Sequence, residues 1–211
     1  MTDFLPIFPL QLVVYPRENL NLHIFEPRYK QLIKECQEEG KTFGIPAYID
    51  GKVKEVGTEL KLLKIEKSYP KGEMDIKTLG IGLFRIQKRY RKAPGKLYGA
   101  ADIERLDFTL EGDFLMNEKI ILLVTELFQL LHINKEIPQD ANQLITYEIA
   151  HHVGLSLEQE YEFLALTTEI ERQSYLFNHL QKLIPVVKEM ERLRERVKMN
   201  GHFRNIIPPE L

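Results

Sequence analysis

The spacing of apolar residues changes character near Gly112, and this constrains the fold of the chain more than any other feature. Before it, short β-branched or aromatic runs alternate with Gly and Pro, the pattern of strands joined by turns. After it, apolar residues recur at every third and fourth position, the pattern of helices. The expectation is an α+β protein with a β-rich half over 1–112 and a helical half over 113–211 packed on it. With 211 residues and 44% hydrophobic content, the chain has ample material for a core, which excludes global disorder.

Composition removes further classes. No run approaches the roughly 18–20 apolar residues of a membrane span. Met1-Thr2-Asp3-Phe4 has neither a basic segment nor a long apolar run, so no signal peptide is expected. Cys36 is the only cysteine, which excludes an internal disulfide and any cysteine-built zinc site. Net charge is −2, so no global field draws nucleic acid or membrane. A cytoplasmic protein without a membrane partner is expected. Charge is uneven, however: Glu136 to Glu171 holds no Lys or Arg, whereas Arg192, Arg194, Arg196 and Lys198 lie close together.

In the β half, the prolines of Leu5-Pro6-Ile7-Phe8-Pro9-Leu10 favour extended backbone. Val13 to Tyr15 and Leu20 to Phe25 continue as extended pieces. Pro27 suits the first position of a helix, and Tyr29, Leu32, Ile33 and Cys36 then form its apolar stripe, with Gly40 as C-terminal cap. A structural rather than reactive Cys36 follows from that stripe. Leu60 to Ile65 and Met74 to Leu79 read as arms of a hairpin turning at Tyr69-Pro70-Lys71-Gly72. Separate strands are expected at Leu83 to Ile86 and Leu97 to Leu106, together making a small closed or nearly closed barrel.

The helical half predicts helices over Phe114 to His132 and Ala141 to Val153. A short one starts at Leu157, capped by Ser156 with Gln159, and a last one follows Thr168 with Glu171, both as capping boxes. The last helix runs to about Met199 with a seam of Leu176, Leu180, Leu183, Val187 and Met190, and Pro185 should kink it. The seam is expected to pack on the chain's own helices rather than in a coiled coil.

Signs of catalysis are weak. No phosphate loop or dinucleotide fingerprint is present. Gly154-Leu155-Ser156-Leu157-Glu158 begins like a nucleophile elbow but ends in Glu, and Ser156 already serves as a cap. Glu148-Ile149-Ala150-His151 supplies one Glu-x-x-His element where a di-metal bundle needs two, so no metal site is assigned and no cofactor is expected. Lys88, Arg89, Arg91, Lys92 and Lys96, interleaved with Tyr90, form a basic cluster of the kind that meets phosphates. The plainer reading is a solvated loop between two strands.

One stretch is more specific. Leu5 to Leu10, Val14-Tyr15-Pro16 and Leu22-His23-Ile24-Phe25-Glu26-Pro27-Arg28-Tyr29 closely resemble the N-terminal domain of Lon proteases, most of all the stand-alone bacterial members of that substrate-binding family. Val56-Gly57-Thr58, Pro70-Lys71-Gly72, Gly80 and Leu83-Phe84-Arg85-Ile86 agree in order and spacing. The resemblance spans nearly the whole chain and weakens after residue 112. It departs at Arg17, where the family often has Gly, and at Asn21, where Pro is common.

The resemblance implies a PUA-like β pseudo-barrel with one short helix, followed by a C-terminal helical bundle ending in a long helix. It also implies a protein or polypeptide partner, since in full-length Lon this domain helps to recognise protein substrates. The ATPase and Ser-Lys peptidase domains that follow in Lon are absent from these 211 residues. A non-enzymatic module that binds exposed or unfolded polypeptide, or serves as an adaptor, is therefore expected. Apolar surface between barrel and bundle would supply its affinity. The alternative is RNA binding through the barrel and the basic cluster at 88–96. Pro9, Pro16, His23, Glu26, Pro27, Arg28 and Tyr29 form the family signature, read first as architecture and second as a binding surface.

Overall fold

The computed structural model describes residues 3–202. Pro27 opens helix α1 (Pro27–Glu39), which buries Tyr29, Leu32, Ile33 and Cys36 and stops at Gly40 in the left-handed conformation (φ 67°). It follows strands β1 (Asp3–Ile7) and β2 (Asn19–Ile24). Next come β3 (Thr42–Ile49), β4 (Lys52–Ser68), β5 (Met74–Tyr90) and β6 (Gly99–Leu106). The helical half holds α2 (Phe114–Leu130), α3 (Leu157–Leu164) and α4 (Glu169–His202). The rest of the expected helical half, 203–211, lies outside the described residues.

The fold is α+β, and its sheet has the order β2-β5-β4-β3-β1-β6. β6 also pairs with β5, so five strands close into a ring while β2 hangs outside on β5. Only β1–β3 is parallel among the strand pairs. The result is a pseudo-barrel rather than an even one. Its interior holds Leu5, Ile7, Phe84, Ala101 and Ile103. A second cluster lies between α1 and the outer part of the sheet, with Leu32, Ile33, Phe43, Leu60 and Ile76 at its centre.

The hairpin turn forms as expected, with Gly72 N–H donating to Tyr69 C=O at 2.9 Å. Its arms are longer than expected, 17 residues each. Leu83 to Ile86 is not a separate strand but the continuation of β5 through Gly80 and Gly82. β3, absent from the expected strands, is buried on both faces between its neighbours.

α2, α3 and α4 agree with the sequence, including the reciprocal capping box of Ser156 and Gln159. Thr168 and Glu171 form the other, with Glu171 N–H reaching Thr168 Oγ1 and Thr168 N–H reaching Glu171 Oε2. α4 continues through Pro185 as one element. Its seam is buried at Leu176, Leu180 and Val187, but Met190 is 62% exposed, because α4 has by then outrun the helices it packs on.

The expected helix over Ala141 to Val153 does not form. The segment holds turns and two 3₁₀ segments, Thr146–Glu148 and Ala150–His152. Neighbouring side chains occupy the backbone groups that an α-helix would use. Asn117 Nδ2 donates to the carbonyls of Ala141 (2.8 Å) and Leu144 (3.2 Å), and Glu169 Oε1 accepts from Thr146 N–H (2.7 Å). Side-chain competition of this kind displaces helical bonds.

The seam between the two halves is core, not groove. Val13, Tyr15, Ala47, Ile49, Val56 and Leu83 share one buried cluster with Val124, Leu127, Tyr147, Phe163 and Leu180. The expected apolar binding surface between barrel and bundle is therefore consumed in holding the halves together.

Candidate functional site

β2 pairs with the first half of β5, and that half pairs in turn with the outer half of β4. The three make a small sheet that projects from the ring. Alternation puts Leu20, Leu22 and Ile24 on one face and Asn19, Asn21 and His23 on the other. Across the sheet, Leu20 lies level with Thr78 and Leu62, and Leu22 with Ile76 and Ile65. The central residues Ile76 and Thr78 are buried, whereas Leu20, Leu22, Leu62 and Ile65 are only partly covered, as are Leu10 and Leu12 beside them. An apolar rim thus surrounds a closed centre.

The signature residues gather around this sheet. His23 Nδ1 meets Asp75 Oδ1 at 2.6 Å on the neighbouring strand, and Asp75 Oδ2 accepts from Tyr69 Oη at 2.6 Å. Hydrogen bonds from His23 and then Tyr69 hold the Asp75 carboxyl below the usual carboxylate range. Phe25 follows, 60% exposed. Glu26 makes no side-chain cap on α1 but accepts from Arg28 Nε at 2.8 Å. Pro27 takes the first helical turn. Arg28 lies 4.6 Å over the Tyr29 ring, and Tyr29 stacks on Phe8 with centroids 3.6 Å apart. Pro9 is half-buried between Phe8 and Leu10, whose N–H groups bond β3. Pro16 stands apart, buried at the junction of the two halves.

That junction holds a second constellation. His151 Nδ1 meets Glu160 Oε1 at 2.7 Å and its Nε2 meets Glu18 Oε2 at 3.1 Å. The same Glu18 oxygen accepts from Tyr15 N–H at 2.8 Å. A neutral imidazole has one N–H, so two carboxylates on opposite ring nitrogens require the charged form. Burial pulls the His151 pKa down, but the bonds to Glu160 and Glu18 outweigh it and raise it to about 9. The ring is a strap between β half and helical half. Its carboxylates lie on opposite edges, so they do not converge on a metal. Glu148, the partner that sequence spacing offered, makes no bond to His151. A cavity of about 300 Å³ opens beside it, lined by Arg17, Lys135, Glu148 and His152 among others.

The basic cluster is dispersed. Lys88 and Arg89 are successive residues of β5 and so point to opposite faces, with Lys88 Nζ 5.2 Å over the Tyr90 ring. Lys96 is paired with Glu35 of α1 at 2.9 Å. Arg91 and Lys92 are exposed in the turn.

Ser156 Oγ and Ser174 Oγ are engaged with their own helices, at Gln159 N–H (3.3 Å) and Ile170 C=O (2.9 Å). A cavity of about 610 Å³ lies beside the loop after α2, with Thr125, Gln129, His132, Lys135 and Glu136 in its lining. Among the described residues, no helix is long and apolar enough to cross a membrane.

Sequence reasoning misses the outer sheet's rim, because nothing in the spacing shows that the extended piece at Leu20 to Phe25 pairs with the hairpin whose arm holds Leu62 and Ile65. It also misses Glu18 and Glu160, which meet His151 from 133 and 9 residues away. No local spacing encodes such a contact.

The chain matches the family described as the ATP-dependent protease La (LON) substrate-binding domain over residues 4–182. It is similar in structure to a Lon N-terminal domain protein from Xanthomonas campestris, with 24% identity and a TM-score of 0.66, over 83% of this chain and 98% of that one. The N-terminal domain of the Mycobacterium avium complex Lon protease is also similar, with 14% identity and a TM-score of 0.63, over 85% and 98%. At such identities the two likenesses establish a shared fold.

Proposed function

The chain belongs to the substrate-binding domain family of the ATP-dependent protease La, and from that premise we propose that it is a non-catalytic module binding exposed or unfolded polypeptide, by itself or as an adaptor. The substrate of a protease is polypeptide, and recognition of an unfolded chain calls for apolar surface that a folded protein does not offer. The observation that carries this reading is the partly covered rim of Leu20, Leu22, Leu62 and Ile65 on the projecting sheet. On this reading the protein acts in the cytoplasm and needs no cofactor. The dispersal of Lys88, Arg89, Arg91, Lys92 and Lys96 gives the RNA alternative no single basic face, so it stands second.

The test is fluorescence anisotropy with a labelled, reduced and S-carboxymethylated α-lactalbumin, against the same protein in its native disulfide form. Saturable binding of the unfolded form alone is expected, weakened at least tenfold by Leu20→Glu with Leu22→Glu in a variant that keeps its circular dichroism. No binding of the unfolded form, or equal binding of both forms, contradicts the proposal.

A further inference from the structure

The projecting sheet has two free edges, and they are built differently. The outer half of β4 leaves β3 after Lys61, so Leu62 to Ser68 has a strand on one side only. That edge carries Lys64, Glu66 and Lys67, and its register with β5 slips twice, between Leu62 and Lys64 and between Ile65 and Lys67. Charge and bulges are the usual means by which an edge is kept from pairing with another chain. Between Asn19 and Ile24, β2 has none of them. Its sequence from Asn19 to Ile24 contains no Lys, Arg, Asp, Glu or Pro, and its register with β5 is unbroken from Asn19–Leu79 to Ile24–Met74.

The direction of its main-chain groups follows from one bond. Gly80 N–H donates to Glu18 C=O at 2.9 Å while Gly80 C=O accepts from Arg17 N–H at 2.8 Å, so Arg17 and Glu18 face Gly80 together as a bulge just ahead of β2, and the Gly80–Glu18 bond sets the phase of the ladder beyond it. With the register unbroken from that bond onward, 20/78, 22/76 and 24/74 are hydrogen-bonded pairs. Asn19, Asn21 and His23 therefore turn their N–H and C=O groups away from β5. Among the described residues no main-chain or side-chain group bonds them there, and all three residues are exposed. A row of alternately spaced donors and acceptors is matched by one kind of partner, an extended backbone.

We infer that the open edge of β2 is the seat of the polypeptide, which adds as a further strand along Asn19, Asn21 and His23. The occupant is an extended protein segment of about five or six residues, uncharged and apolar at alternate positions. Main-chain bonds supply affinity without reading sequence. Its apolar side chains on one face continue the rim of Leu20 and Leu22, and those on the other lie toward Phe25. This inference rests on the polypeptide-binding reading above and names where and how that binding occurs.

The test uses the full chain and the same labelled, carboxymethylated α-lactalbumin. Asn21→Pro removes an N–H that β5 does not use, and an edge strand tolerates Pro at such a position. Asn21→Lys guards the edge in the manner of β4, and decides the matter alone if the proline variant fails to fold. Folded variants that lose at least tenfold in affinity, with new amide-exchange protection at Asn19, Asn21 and His23 when the wild type is loaded, are the expected result. Wild-type affinity in the folded variants overturns the edge while leaving polypeptide binding intact. Absence of binding by the wild type overturns both. Protection of the same amides in the free protein, in a dimer that Asn21→Pro dissociates, would give the edge to a second copy and also overturn the inference.

Discussion

Arg172 and Glu169 form an ion pair of 2.7 Å in which both side chains are wholly removed from solvent. Arg172 also donates to the carbonyls of Leu166 (2.8 Å) and Thr109, and lies 4.1 Å over the Tyr147 ring. Glu169 accepts from Thr146 N–H. One turn of α4 thus fastens the segment leaving the barrel, the 3₁₀ segment and the loop before α4. Removing one partner strands the other charge, and Arg172→Ala should cost about 3–5 kcal/mol. Glu169→Gln combined with Arg172→Met should lose less than the sum of the single changes, with a coupling of about 1 kcal/mol or more. Urea unfolding of the wild type, Arg172→Ala, the two single variants of the cycle and their double variant measures both.

The His151 strap makes stability depend on pH. Its folded pKa of about 9 stands above the ordinary 6.5. The contribution is therefore fully present below about pH 6.5 and is lost as pH rises through about 9. Its upper bound is roughly 3 kcal/mol. Urea midpoints from pH 6 to 10 should fall for the wild type over that window, and the fall should be smaller in His151→Gln.

Two glycines of the ring should respond differently to an added methyl. A Cβ on Gly57 would meet the Phe84 ring at 2.6 Å and the Ile45 carbonyl at 2.9 Å, so Gly57→Ala should cost about 1–3 kcal/mol. A Cβ on Gly82 meets nothing within 4 Å, and Gly82→Ala should stay within about 0.5 kcal/mol of the wild type. Thermal denaturation followed by circular dichroism distinguishes them.

Arg17 holds a left-handed backbone with φ 69°, where its N–H bonds Gly80 C=O at 2.8 Å. A side chain there costs about 1–3 kcal/mol, and glycine returns part of that through its looser unfolded chain. Arg17→Gly should raise stability by about 1 kcal/mol in the same urea assay.

Local chemistry was legible in the sequence wherever it was self-contained. Pro27, the Tyr29-to-Cys36 stripe and Gly40 delimit α1 without help from the rest of the chain. Ser156 with Gln159, and Thr168 with Glu171, do the same for α3 and α4. β3 was hidden because Gly44 and Pro46 look like turn residues and burial on both faces erases alternation. Gly80 and Gly82 look like breaks in β5, yet Gly80 serves the close approach of the Tyr15 carbonyl, which stands where a Cβ would need room. Ala141 to Val153 has helical spacing, but Asn117 and Glu169 take its backbone groups from a distance. The signature around His23 and Tyr29 could be found in sequence, whereas the open edge of β2 could not, because an edge is defined by the strand that is missing beside it.

Polypeptide binding itself is tested most directly by isothermal titration of the full chain with carboxymethylated α-lactalbumin at three temperatures. The expected result is a saturable heat with a negative heat-capacity change, the mark of apolar burial, and no heat with the native disulfide form. Absence of binding, or a binding heat unchanged with temperature, would contradict a surface that recognises exposed apolar chain.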